Sequence, residues 1–175
     1  MLGQFVGDVR RNHALEHATV QLLIARLGPE LRLVGRAAGD GFRLYGHVPP
    51  QALAECTREA LNRLQAGEAH WAVTPLCGTN LATAGILASL ATLLVASKTK
   101  EKVSNGIVAG IAAVTVAQPL GRMIQEKLTT SPDLADTELV AIESRADGRY
   151  HRVRTRRVPG MAAAGRLGAI TPASL

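Results

Sequence analysis

Aromatic residues are almost absent: Phe, Tyr and Trp together make up 3% of the 175 residues. A core built on stacked rings is thereby excluded, and so is a nucleic-acid surface built on an aromatic platform, for which the basic C-terminal region offers only Tyr150. The cysteines are two, Cys56 and Cys77, too few for a disulfide framework, and both are expected as free thiols. Neither a phosphate-binding loop nor a dinucleotide fingerprint is present, so no nucleotide is expected as a ligand. The opening Met1–Asp8 has no basic stretch followed by an apolar one, so no secretory signal is expected there. Acidic residues run out towards the end: from Arg145 onward there are seven Arg against Asp147 alone, whereas residues 1–68 nearly balance eight Arg with seven acids. The overall charge of +6 therefore belongs to the C-terminal part.

What is present divides the chain into parts of different character. Residues 1–68 read as an α-β-β-α unit. A first helix is expected over about residues 5–27, ended by Gly28-Pro29. On it Leu2, Val9, Val20, Ile24 and Leu27 form an apolar arc, with His13, Glu16 and His17 within or beside that arc. Strands are expected over Leu31–Arg36 and Phe42–Val48 around Gly39-Asp40-Gly41. Pro49-Pro50 then opens a helix over Gln51–Gln65 with Leu53, Ala54, Ala60, Leu61 and Leu64 on one stripe.

From Ala69 to Ser97 there is no Asp, Glu, Lys or Arg. After the charged turn Lys98–Lys102, Val103–Gly121 is a second uncharged run of nineteen residues, long enough at about 1.5 Å per residue to cross a hydrocarbon layer of roughly 30 Å. Residues 69–121 are therefore expected as a transmembrane helical hairpin, with Trp71 as an interfacial anchor and Thr79 or Asn80 as a cap. Gly106 and Gly110, opposite Ala84, Gly85 and Ala88, would allow close packing inside the hairpin, and Pro119 is expected to kink or end the second helix. The alternative is a pair of helices buried in a soluble core. Loop charges favour both termini in the cytoplasm, with the protein integral to the bacterial inner membrane.

Residues 122–158 read as a linker and a β-hairpin, Glu138–Ser144 and Arg149–Arg157. Arg152, Arg154 and Arg156 share one face of its second strand, suited either to anionic headgroups or to plain solvation. Residues 159–175 read as a flexible tail.

The sharpest chemical signal is His13-Ala14-Leu15-Glu16-His17. Histidines at i and i+4 lie one helical turn apart and can reach one metal ion, zinc being well suited to imidazole, with Glu16 placed as a general base. A catalytic zinc needs a third protein ligand, for which His47, His70, Cys77, Glu55 and Glu59 are the candidates. The alternative is a structural polar cluster in which these residues bond to the backbone, Arg11, Asn12 or Thr19.

The H-x-x-E-H spacing is similar to the inverted zinc motif of pitrilysin-type metallopeptidases, which implies zinc and a glutamate base; the likeness covers five residues. A wider likeness joins Arg11–Thr19 (RNHALEHAT), Gly41–Gly46 (GFRLYG) and Cys77-Gly78-Thr79-Asn80 before a hydrophobic hairpin. Over roughly residues 8–130 the chain resembles an uncharacterised family of small bacterial membrane proteins, a domain of unknown function. That likeness implies an integral membrane protein and carries no established activity. The overall expectation is an α+β chain: either a membrane-anchored metal-binding protein, with zinc-dependent hydrolysis as its chemistry, or a non-catalytic membrane subunit or scaffold. Its partners would be the lipid bilayer and a membrane protein or a second copy of itself.

Overall fold

The computed structural model describes residues 2–98 and 101–159, apart from the side chain of Lys102. The tail expected over 159–175 lies outside the described residues except for Pro159, as do Thr99 and Lys100 of the charged turn. The chain is α+β and divides into two compact units, one made of residues 1–72 and the chain from 130 onward, the other of Val73–Thr129.

In the first unit, α1 (Leu2–Leu27) is followed by β1 (Val34–Ala38), β2 (Gly41–Tyr45), α2 (Pro50–Gln65) and a single 3-10 turn (Ala69–Ala72). The chain returns to this unit with β3 (Thr137–Ser144) and β4 (Tyr150–Arg157). The strands form one antiparallel sheet in the order β1-β2-β4-β3. Both hairpins thus share a sheet, joined where Phe42 of β2 opposes Val153 of β4. Gly41 is required at that seam: its φ is +136°, and a Cβ there would overlap the Val153 carbonyl.

Helix α1 ends where Gly28 adopts φ +103° and its N–H closes on the Ile24 carbonyl. Helix α2 starts at Pro50, as a proline at the first helical position favours, and ends before Gly67 at φ +89°. The stripe expected on α2 is buried at Leu53, Ala60, Leu61 and Leu64, and Cys56 and Thr57 join it.

Two readings of local structure are corrected. Strand β1 begins at Val34 rather than Leu31, because Leu31 and Leu33 pack on the core without joining the ladder. The buried face of α1 is carried by Ala14, Leu15, Ala18, Leu22 and Leu23, roughly opposite the apolar arc, whose Leu2 and Leu27 are exposed. Small Ala side chains let the helix approach its neighbours closely, and that outweighs the larger residues on the other side. The core they join contains Phe42, Leu44, Val48, Leu53, Leu134 and Val153.

The second unit is the pair α3 (Gly78–Lys98) and α4 (Lys102–Ile124), continued by a π-helical turn (Gln125–Thr129). Both are long and apolar enough to cross a membrane, and only 6% and 17% of their apolar windows are buried within the structure. Gly106 and Gly110 do pack within the hairpin, where the Thr92 hydroxyl donates to the Gly106 carbonyl at 3.1 Å. Pro119 does not end its helix, which runs on to Ile124. At the open end of the hairpin, buried Thr74, Asn80 and Gln125 satisfy one another. Gln125 donates to the Asn80 side-chain oxygen at 2.7 Å and to the Thr74 carbonyl at 3.0 Å, and accepts from the Thr74 N–H at 3.1 Å. Asn80 is therefore a tie between segments rather than a helix cap.

Candidate metal centre

Helix α1 presents His13 and His17 one turn apart, with ring centroids 4.3 Å from each other. His17 is buried, and its Nδ1 lies 2.8 Å from the Ala72 carbonyl of the 3-10 turn. A carbonyl can only accept, so Nδ1 carries the proton and Nε2 of the neutral ring keeps its lone pair. This is how a metal-binding imidazole is usually oriented: one nitrogen donates to a fixed acceptor while the other is turned to the ion. Gln21 steadies the same turn by donating to the Trp71 carbonyl at 2.9 Å.

Glu16 is buried against β1, where Gly35 leaves the space that its carboxylate fills; a Cβ at Gly35 would overlap it. Glu16 and His17 thus face different elements, the sheet and the 3-10 turn. The neighbours that a structural polar cluster would use have other engagements. The Thr19 hydroxyl donates to the Leu15 carbonyl at 2.8 Å, and Arg11 donates to the Asp133 carbonyl at 2.9 Å. Buried Asn12 clamps α1 to the sheet: it donates to the Ala38 carbonyl at 2.7 Å and accepts from the Thr155 hydroxyl at 2.6 Å. No local signal marks this clamp, because most of its partners are backbone atoms. Gly35 did leave one, since a glycine inside a strand marks a close approach.

The five third-ligand candidates separate clearly. Glu55 and Glu59 hold Arg26 at 2.7 and 3.2 Å, and Glu59 also holds Arg63 at 2.7 Å. His47 is exposed beside the β3–β4 turn at Gly148, and His70 is exposed with its ring 5.3 Å from that of Trp71. Cys77 is buried at the residue preceding α3, where its sulfur accepts the Thr79 N–H at 3.4 Å. Within the first unit His13 and His17 stand as a pair of nitrogen ligands on one helical turn, whereas Cys77 belongs to the second unit. Cys56 differs from Cys77: it is a core residue of α2, and burial pushes its thiol up from the ordinary cysteine range, so it stays a neutral apolar filler.

The expected membrane-surface residues are all engaged. Trp71 donates its indole N–H to Glu68 at 2.9 Å and lies under the Arg63 guanidinium at 4.9 Å. Arg152, Arg154 and Arg156 face outward from β4 with acids at 2.6, 3.9 and 3.0 Å, namely Asp40, Glu143 and Glu138.

The family of this chain carries no function in its description. The chain belongs to a domain of unknown function (DUF6391), which matches residues 8–142. An uncharacterized protein of the cyanobacterium Picosynechococcus sp. is 34% identical to it over 139 residues. That match covers 70% of this chain and 66% of the relative, so the chain spans just under two thirds of the relative's length. No solved structure matches.

Proposed function

We propose that this chain is a membrane-integral metal-binding protein of the bacterial inner membrane, with both termini cytoplasmic, in which His13 and His17 hold a zinc ion. The observation that carries the reading is the His17–Ala72 hydrogen bond, which protonates Nδ1 and leaves Nε2 as a ligand. Two imidazole nitrogens one helical turn apart suit zinc, which would take a third protein ligand and a water in its remaining positions. Hydrolysis is the chemistry such a site serves; Glu16, seated over Gly35 on the sheet side of α1, would have to turn from that seat to act as its base. The bilayer is the proposed surrounding of α3 and α4, whose apolar side chains are exposed.

A second reading has one specific observation behind it. Asn12, in the same motif, serves only to clamp α1 to the sheet. On that reading the whole motif is a lock in a non-catalytic membrane subunit.

Metal content of the detergent-purified protein separates the two. Near-stoichiometric zinc is expected, falling at least tenfold in His13→Ala and His17→Ala while circular dichroism is unchanged. Metal-free protein after zinc loading, or zinc retained in both variants, overturns the metal reading.

A further inference from the structure

Strand β3 is an edge of the sheet: β4 pairs with one side of it, and among the described residues no strand pairs with the other. An open edge is a template for another extended chain, because its backbone N–H and C=O groups are available for a ladder. Strand β3 runs for eight residues with a register shift between Leu139 and Ala141, and beside it lies a groove of about 450 Å³ formed with α2. Leu139 and Ile142 from β3 and Ala54 from α2 give the groove an apolar lining, Ser144 closes one end, and Arg58 stands on its helical wall.

The edge is held in shape. His151 is fully buried, with Nε2 3.1 Å from the Gly148 carbonyl and Nδ1 2.7 Å from the Ser144 hydroxyl. The carbonyl requires a proton on Nε2, so Nδ1 accepts from Ser144 and fixes that end of β3. At the other end Gln65 of α2 donates to the Thr137 carbonyl at 2.9 Å. A binding edge fixed at both ends loses little freedom when a ligand strand adds to it.

The groove carries an exposed cation. Arg26 and Arg63 on the same unit are engaged by Glu55, Glu59 and Glu68, and the β4 arginines by their own acids. Arg58 is exposed and, among the described residues, has no acidic partner.

We infer that the α2–β3 groove binds an extended acidic peptide of another protein, which adds as a strand to β3, places an aliphatic side chain over Leu139 and Ile142, and pairs a carboxylate with Arg58. The carboxylate belongs either to an Asp or Glu side chain or to a peptide C-terminus.

The test is a random peptide-display selection on the full chain in nanodiscs, followed by titration of the enriched peptides with free and with amidated C-termini. Enriched sequences should share an aliphatic residue and an acid at fixed spacing. Their affinity should fall at least tenfold in Arg58→Glu and in Ala54→Trp, which fills the groove. Replacing the peptide's acid by Lys should restore binding to Arg58→Glu. Loss on amidation assigns the carboxylate to the C-terminus; retention assigns it to a side chain. Both variants change solvent-facing or half-buried positions, and an unchanged thermal midpoint shows that they fold. A selection that enriches nothing, or peptides that bind wild type and both variants alike, overturns the inference.

Discussion

The two units of this chain sort their side chains in opposite ways. In the α+β unit Leu15, Leu23, Phe42, Leu44 and Leu53 are fully or almost fully buried, and arginines and acids cover the outside. In the α3–α4 unit the large apolar residues face outward, with Leu81 78% and Ile111 65% exposed, while Thr74, Asn80 and Gln125 are inside. Water accounts for the first arrangement through the cost of hydrating apolar area. The second is what an apolar solvent dictates, since there a polar group must find its partners within the protein. The contrast supports the proposed bilayer setting of the hairpin, and it adds to helix length, which a buried core helix would also satisfy.

The sharpest way to break this comparison is to truncate one large side chain in each unit. Phe42→Ala should cost about 3–5 kcal/mol, the usual loss for a buried aromatic ring. Ile111→Ala should change detergent stability by less than ~1 kcal/mol, as at a surface position. Chemical denaturation followed by circular dichroism measures both. Equal losses would mean that the hairpin side chains are packed against protein, and the contrast would fail.

A smaller effect tests what the two units share. Each seats one buried polar side chain over a glycine: Glu16 over Gly35 and Asn80 over Gly121. Gly35→Ala and Gly121→Ala should each destabilise by about 1–3 kcal/mol, because the added Cβ displaces a satisfied polar group from a packed site. Pairing Gly35→Ala with Glu16→Ala should recover part of the loss, since the obstructing carboxylate is then gone. Additive losses in that double variant would show that Gly35 matters for its backbone and not for the room it gives Glu16.

How far the sequence reveals these features depends on whether a signal is local. The i, i+4 histidines, the proline opening α2 and the two uncharged runs are local, and each is legible. The pairing of β2 with β4 is not, because residues such as Phe42 and Val153 lie more than a hundred positions apart and nothing near either names the other. The buried face of α1 is hidden for a different reason: Ala14 and Ala18 weigh little in any hydrophobic count, yet close approach of the helix depends on them. The third ligand was ambiguous because Glu55 and Glu59 look available until Arg26 is seen to reach across from α1. Sequence spacing reports which residues share a face. It does not report which of them a neighbouring element has already engaged.

The smallest effect separates the two units by pH. From Gly78 to Ser97 the hairpin carries no Asp, Glu, Lys or Arg, so that stretch offers nothing to titrate. The α+β unit does, at Asp40, whose carboxyl is held below the ordinary aspartate range chiefly by the hydrogen bond from Arg152 at 2.6 Å. A carboxyl with a lowered folded pKa contributes stability that is fully present above its unfolded value and is lost as pH falls through the folded one. Stability of wild type should therefore drop more steeply below the aspartate range than that of Arg152→Gln, and the two should differ by a constant amount at neutral pH. The pair is exposed, so the difference should be small and should shrink further in salt. Denaturation midpoints of both proteins between pH 7 and pH 3, at low and high ionic strength, measure it. Parallel curves would show that Arg152 confers no pH-dependent stability, leaving the ion pairs on β4 as features of solubility alone.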